Sequence, residues 1–241
     1  MDAKIASILK YVAIMSFILV ALAHSQEPKV LLQEGFNSLD NWEPFYFRKI
    51  DEHSSYTVES SEEGSYLKAE SNGSASALIY KSQFNVYEYP YIKWRWKVEN
   101  LYKRGNARSK KGDDYPIRIY IMFKYDPKKA GFFDKVKYKT AKTLYGQYPP
   151  HSGLNYIWAN RKHKERILTS KYTDKAKMIL MQKGNSNVGK WQDHEANIVK
   201  DYKEAFGEEP PAIASIAIMN DSDNTGESSI SYVDYIEVFS R

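Results

Sequence analysis

The sequence of 241 residues predicts an all-β fold, a jelly-roll-like two-sheet β-sandwich of about ten strands with two short connecting helices. Three observations point there. Apolar and polar residues alternate along short segments from Val30 to Phe239, the period of a strand with one buried face. Gly, Asn, Asp and Ser stand between those segments as turn residues. The chain also holds 20 tyrosines, 10 phenylalanines and five tryptophans, residue types that suit a pleated, half-buried surface.

Residues 1–25 stand outside the sandwich. Lys4 and Lys10 precede the apolar run YVAIMSFILVALA, which ends in the small-residue signal Ala23-His24-Ser25, the plan of a secretory signal peptide. The run is shorter than the ~20 residues of a bilayer span. The sequence therefore predicts an exported protein, periplasmic or extracellular, with no membrane span after signal cleavage and a single β-sandwich domain over 26–241.

Within that domain VLLQEGF, SSYTVES, SYLKAES and SALIYKSQF come first, each bounded by turn residues. In YIKWRWKV, Ile92, Trp94, Trp96 and Val98 make one face, and Lys93, Arg95 and Lys97 the other. In IRIYIMFKY, Ile117, Ile119, Ile121 and Phe123 oppose Arg118, Tyr120 and Met122. The first set of each is a core face, and the second combines cations with aromatics on an outward or concave surface. LNYIWAN, AKMILMQKG, ASIAIMN and SISYVDYIEVF complete the strands. Two segments change period. Phe132, Val136 and Leu144 fit helical spacing before Gly146 and Pro149-Pro150. Asp193 offers an N-cap to a second helix carrying Ile198, Tyr202 and Phe206 before Gly207.

Composition removes several functions. Without cysteine there are no disulfides, thiolate metal sites or cysteine nucleophiles. The net charge is +5, and it is spread along the chain. The densest basic run, KRGNARSKK from Lys103 to Lys111, reads as a solvated hairpin tip, and no nucleic-acid motif accompanies it. His53, His151, His163 and His194 lack the spacing of a zinc site. No Gly-x-Ser-x-Gly elbow, phosphate loop or dinucleotide fingerprint occurs.

Two loops carry candidate chemistry. NDSDNTG, from Asn220 to Gly226, opens like a helix-flanked calcium loop, but Tyr232 stands where the closing glutamate belongs. Three readings remain for it: a turn between strands, a calcium site at Asp221, Asp223 and Asn224, or a substrate contact. Gly112-Asp113-Asp114-Tyr115-Pro116 enters the strand that bears Arg118 and Tyr120. Paired carboxylates across a sheet rim serve glycoside hydrolysis, whereas elimination wants a tyrosine base beside an Arg or Asn. An Asx turn needs neither. Asp234 interrupts the apolar positions of its strand, so it should find a cation or neutralise, with Arg95 and Arg118 as the natural partners. Trp158, with Tyr156 at the same parity, is either a sugar-stacking platform or core.

The chain resembles a bacterial family of domains of unknown function, the one numbered 3047. The resemblance rests on Ser74-Ala75-Ser76-Ala77-Leu78, Trp94-Arg95-Trp96-Lys97-Val98, and the run from Gly112 through Tyr120. It continues in Tyr156-Ile157-Trp158-Ala159-Asn160, Asp201-Tyr202 with Phe206-Gly207, and Ile218 through Thr225. It implies no transferable activity. Its strand pattern is similar to galactose-binding-like and other jelly-roll carbohydrate modules, a likeness of fold that does not fix function.

The expected role is recognition of a saccharide or cell-surface polymer, such as a cell-envelope glycan, by Arg95, Arg118, Tyr120, Trp158 and Asn160. The alternative is a glycoside hydrolase or polysaccharide lyase acting through Asp113, Asp114, Tyr120, Asp221 or Asp223. A third reading is a structural envelope protein with no small ligand. No cofactor is expected apart from calcium at Asp221, Asp223 and Asn224.

Overall fold

The computed structural model describes residues 28–62, 64–128, 138–139 and 148–241. The signal segment 1–25 lies outside the described residues, as does the helix expected over Phe132 to Leu144 apart from 138–139. Among the described residues no helix is long and apolar enough to cross a membrane.

Two sheets face each other. Sheet A contains β1 (Lys29–Glu34), β3 (Ser55–Ser61), β4 (Gly64–Asn72), β7 (Tyr91–Val98), β12 (Gln192–Asn197) and β14 (Ser228–Ser240). Their order is β12-β7-β14-β4-β3, with β1 also on β14. Sheet B contains β2 (Trp42–Tyr46), β5 (Ala75–Tyr80), β6 (Phe84–Asn85), β8 (Arg118–Phe123), β9 (Ser152–Ala159), β10 (Ile167–Thr169), β11 (Ala176–Lys183) and β13 (Ile213–Asp221). Their order is β10-β11-β9-β8-β13-β5-β2, with β6 also on β13. The chain crosses between the sheets repeatedly, among other places at β4 to β5, β7 to β8, β11 to β12 and β13 to β14, so the connections close the sandwich in the jelly-roll manner. The pair β9 and β11 runs parallel.

Period-two alternation builds the core. Ile92, Trp94, Trp96 and Val98 of β7 point inward with Ile119, Ile121 and Phe123 of β8, and with Val233, Ile236 and Val238 of β14. The indoles reach across the gap: Trp94 lies 5.0 Å from Tyr156, and Trp96 lies 6.3 Å from Trp158, between ring centroids. Burying each large side chain removes its apolar area from water, worth about 1.5–3 kcal/mol. In β14 the alternation is broken at Asp234, where the register with β7 shifts between Val233 and Tyr235. The bulge lets Val233 and Ile236 both face the core, and leaves Tyr232 on the outer face instead of in the apolar row that strict alternation predicts.

Four strands exceed the ten expected, and each lacks the alternating signal. β2 contains Pro44, which is tolerated because β2 is an edge of sheet B. β6 and β10 are too short to show a period. β12 reads QDHEAN, with Ala196 as its buried residue, and is an edge of sheet A. Because Gln192–Asn197 is strand, Asp193 caps no helix. The helix α1 (Ile198–Phe206) starts one residue after Asn197, whose Oδ1 accepts from Lys200 N at 2.9 Å. It ends at Gly207, whose φ of 76° is the left-handed cap that glycine adopts freely.

Candidate functional site

Sheet B places the candidate residues in rows. On β13, Ile216, Ile218 and Asn220 face the interior, so Ala217, Met219 and Asp221 face outward. Pairing sets Arg118 beside Met219 and Tyr120 beside Ala217. On the other side of β8, Arg118 faces Ile157 and Tyr120 faces Asn155. β11 then sets Met178 beside Asn155. The outer face of sheet B thus carries the row Met178, Asn155, Tyr120, Ala217, next to a row containing Ile157, Arg118 and Met219.

The segment from Asn100 to Ile117 folds over the end of this face, and two residues fix its path. A Cβ on Gly112 would stand 2.8 Å from the Arg104 carbonyl oxygen and 2.7 Å from Asn106 N, so only glycine permits that backbone approach. Asn160, at the end of β9, holds both arms: Oδ1 accepts from Tyr102 N at 2.9 Å, and Nδ2 donates to the Asp114 carbonyl at 2.7 Å. Asp113 and Asp114 are thereby buried, at 4% and 0% exposure.

Here the loop of Asp113 and Asp114 meets the loop that follows Asp221. Asp114 Oδ2 accepts from Thr225 N at 2.6 Å, and Oδ1 accepts from Asn224 Nδ2 at 3.0 Å and Asn224 N at 3.3 Å. Arg118, 6% exposed, donates through Nε to Asp221 Oδ1 at 2.8 Å and through Nη2 to Asp221 Oδ2. Nη2 also reaches the Asp113 carbonyl at 3.0 Å. The guanidinium carbon lies 4.5 Å from the Tyr115 ring and 5.9 Å from the Tyr120 ring, so the cation has an aromatic neighbour in each of two residues of its own segment. Tyr115 OH donates to Asp113 Oδ1 at 3.0 Å and also touches Met178 Sδ.

Burial sets the protonation equilibria. It pushes the Asp113 carboxyl above the usual carboxylate range, against the pull of Arg118 and Tyr115. It raises Asp223 too, with the Asp114 charge adding to the effect. The Tyr120 phenol is raised by the same desolvation, which disfavours its anion. Carboxylate oxygens of Asp114, Asp221 and Asp223 come within 4.8 Å of one another, a set of hard ligands of the kind calcium takes. Both Asp221 oxygens already meet Arg118, and the Asn224 side chain is engaged by Asp114 and by Tyr172 OH, the latter at 2.6 Å.

Among the described residues, one polar group on this face has no such partner. Asn155 is 3% exposed, and its Oδ1 is buried without a hydrogen bond. Its cross-strand neighbour Tyr120 makes a long contact with Met219 Sδ, at 3.6 Å, and lies beside the Arg118 guanidinium.

The structure separates other residues that the sequence grouped with these. Trp158 is fully buried, and its Nε1 donates to the Gly184 carbonyl at 3.1 Å; it is core and offers no stacking platform, because its parity turns it inward against Trp96 of the facing sheet. Asn160 is a clamp for the Asp114 loop, with both ends of its amide engaged. Arg95 lies on the outer face of the opposite sheet, where Nη1 pairs with Asp234 Oδ2 at 3.1 Å and the guanidinium stands 5.3 Å from the Trp191 ring. Arg118 is not a partner of Asp234. That outer face of sheet A is ion-paired throughout, Lys93 with Glu237, Lys97 with Glu99 and Lys68 with Glu59 and Glu70.

Sequence reasoning passed over Asn155, Tyr115 and Tyr172. The outward parity of Asn155 in LNYIWAN, opposite to Tyr156 and Trp158, was the available signal. A cleft of about 690 Å³ lies elsewhere, lined by Glu52, His53, Asn72, Asn100 and Ser228. Its floor hydroxyls, Ser71, Ser74 and Ser229, are already bonded to Tyr102, Ser54 and one another.

Comparison with curated proteins finds no match. Among solved structures, the solution structure of CtCBM11 is similar over 90% of this chain and 99% of its own, at 12% identity and a TM-score of 0.43. A Trichoderma harzianum endoglucanase 3 of family GH12 is similar over 90% and 100%, at 9% identity and a TM-score of 0.40. A Bauhinia forficata lectin in complex with GalNAc is similar over 86% and 97%, at 11% identity and a TM-score of 0.33. The family described as protein of unknown function (DUF3047) matches residues 40–237, spanning both loops and every strand of the outer face just described, and the chain belongs to that family.

Proposed function

We propose that the protein recognises a saccharide on the outer face of sheet B, where Asp113, Tyr120 and Asn155 make the direct contacts. The observation that carries this reading is the buried, unpartnered Oδ1 of Asn155 beside the underused hydroxyl of Tyr120. Buried polar atoms are normally paired, and a ligand hydroxyl would complete this one. A polyhydroxylated ligand brings donors and acceptors at the spacing of a sheet row. The surrounding residues are fixed by the Arg118 to Asp221 pair and by Asn160, so binding orders little further chain.

Recognition is favoured over cleavage by the same geometry. Elimination would use Tyr120 as a base, and burial holds its phenol protonated. Hydrolysis needs two carboxyl groups facing one bond, and of the four candidate aspartates Asp114 and Asp221 are already engaged by loop amides and by Arg118. Binding is tested on a broad glycan array with the wild-type chain and Tyr120→Phe. At least one glycan should be retained, and loss of the hydroxyl should weaken it about fivefold to tenfold, as for one hydrogen bond. Uniform absence of binding sinks the reading.

A further inference from the structure

We propose that Tyr172 is the stacking platform of this site and that its ligand is a neutral pyranose chain. This rests on the saccharide reading above, adds a contact residue to it and names the ligand class.

Tyr172 stands in the loop of residues 170–175 between β10 and β11. It is 57% exposed, more than any other large apolar side chain among the described residues. A single exposed ring is ordinary on a protein surface, but this one is held in place. Its backbone N donates to Ser170 Oγ at 3.2 Å, and its hydroxyl lies 2.6 Å from Asn224 Oδ1 and 3.2 Å from the Lys110 carbonyl oxygen. Asn224 is in turn bonded to Asp114, so the ring is tethered to both of the segments that build the site. Desolvation of the hydroxyl, and then the charges of Asp113, Asp223 and Asp114, raise its phenol, which marks a ring standing beside those carboxyls. An aromatic side chain fixed at both ends loses little freedom when a ligand covers it. Its flat apolar body suits the C–H face of a pyranose, while the polar tip stays engaged by the loops.

Charge selects the class. The groups left for a ligand here carry both signs and both hydrogen-bonding senses. Asn155 Oδ1 is an acceptor without a partner, and the carboxyls of Asp113 and exposed Asp223 add further acceptors. Tyr120 OH, in long contact with Met219 Sδ, is a donor. So is the exposed Lys110 ammonium, which stands 5.5 Å from the centroid of the Tyr172 ring and makes no ion pair among the described residues. Arg118 is committed to Asp221 inside the sheet face and is 6% exposed. A glycan amine therefore loses at Lys110 what it gains at Asp113 and Asp223, and a uronate does the reverse. Either one must also shed the water of an ion on binding. A hydroxyl both donates and accepts, so a neutral sugar satisfies each of these groups without setting like charges together.

Calorimetric titration tests both halves of the proposal. The titrants are neutral oligomers of glucose, mannose and galactose, with a deacetylated glucosamine oligomer and an oligogalacturonate of equal length, against the wild type, Tyr172→Ala and Tyr172→Phe. At least one neutral oligomer should bind about tenfold tighter than either charged one, as a like-charge encounter at the rim implies. Tyr172→Ala should weaken that binding about tenfold, the upper range for an aromatic contact. Tyr172→Phe keeps the ring and loses the hydroxyl tether, so it should cost about threefold or less. No loss in Tyr172→Ala, or equal losses in the two variants, overturns the platform and leaves Tyr172 as a tether between loops. A charged oligomer that binds as tightly as the neutral ones overturns the ligand class. Both results leave saccharide recognition standing. Binding of none of the five overturns the inference as a whole, and the glycan array then decides the broader reading.

Discussion

Asp221→Asn is the substitution that tests how the candidate site is held. Asp221 and Arg118 side chains are 1% and 7% exposed, and the guanidinium meets both carboxylate oxygens. The amide keeps the shape but turns one acceptor into a donor aimed at Arg118, and it leaves a buried cation without its counterion. Breaking a buried pair in this way costs about 3–5 kcal/mol. Tyr115 N, which donates to Asp221 Oδ1 at 3.3 Å, would lose part of its bond as well. Urea denaturation at constant m reads the loss as a shift in midpoint. The double variant Arg118→Met with Asp221→Leu removes both charges and should recover most of the deficit, because apolar replacement of a buried pair is often neutral. A loss in Asp221→Asn below about 1 kcal/mol, the range of surface pairs, would refute the claim that the Asp113 loop seals this pair from water.

Two further outcomes follow from the electrostatics. His194, between the Trp94 and Trp96 rings at 5.4 and 5.3 Å, is pushed down by burial to about 4 from its ordinary 6.5. Its folded-state value is depressed, so its contribution is complete above pH 6.5 and is lost as pH falls toward about 4. At about 1.4 kcal/mol per unit the ceiling is near 3 kcal/mol, and the partly exposed ring edge reduces it to about 1–2 kcal/mol. Stability of the wild type minus that of His194→Phe, measured by urea denaturation, should therefore fall by that amount between neutral and acid pH; parallel profiles would show that the imidazole is not desolvated. Added calcium should leave the melting temperature unchanged, because Arg118 already neutralises Asp221. A rise of several degrees that Asp223→Ala abolishes would place a cation among Asp114, Asp221 and Asp223 and displace Arg118 from its assigned role.

The sandwich was legible because alternation reports burial directly: β7 and β8 present inward the residues that their parity predicts. The same rule misled where a single residue breaks the period. At Asp234 a bulge reverses the faces of β14, and at β12 an edge strand with one buried residue imitates a polar helix start. The candidate site was legible in part. Arg118, Tyr120 and the two aspartate loops share a strand or adjoin one, so their composition marked them. What sequence could not supply was which sheet a face belongs to. Arg95 and Arg118 occupy matching outward positions on β7 and β8, yet the chain crosses from sheet A to sheet B between those strands, and their side chains point to opposite sides of the molecule. Trp158 was ambiguous for a related reason, since parity puts it with Tyr156 on one face of β9 without saying whether that face looks inward.

The end of β13 explains how the two aspartate loops are held together. Consecutive residues of that strand face opposite ways, so Asn220 enters the gap between the sheets while Asp221 stands on the outer face. Asn220 Nδ2 donates to the Ala69 carbonyl at 3.0 Å, and its Oδ1 accepts from Ser229 Oγ at 3.1 Å and Tyr102 OH at 3.2 Å. Tyr102 belongs to the segment that carries Asp113 and Asp114, and its backbone N is held by Asn160. The segment is therefore pinned inside the sandwich by Tyr102 and outside it by Arg118. A polar network with every member paired is rigid, and its loss would cost more than its separate bonds suggest. Among the described residues, Asn155 Oδ1 stands out on the outer face of sheet B as a buried oxygen without a hydrogen bond. Rigidity around such an acceptor is the arrangement expected of a preformed ligand site.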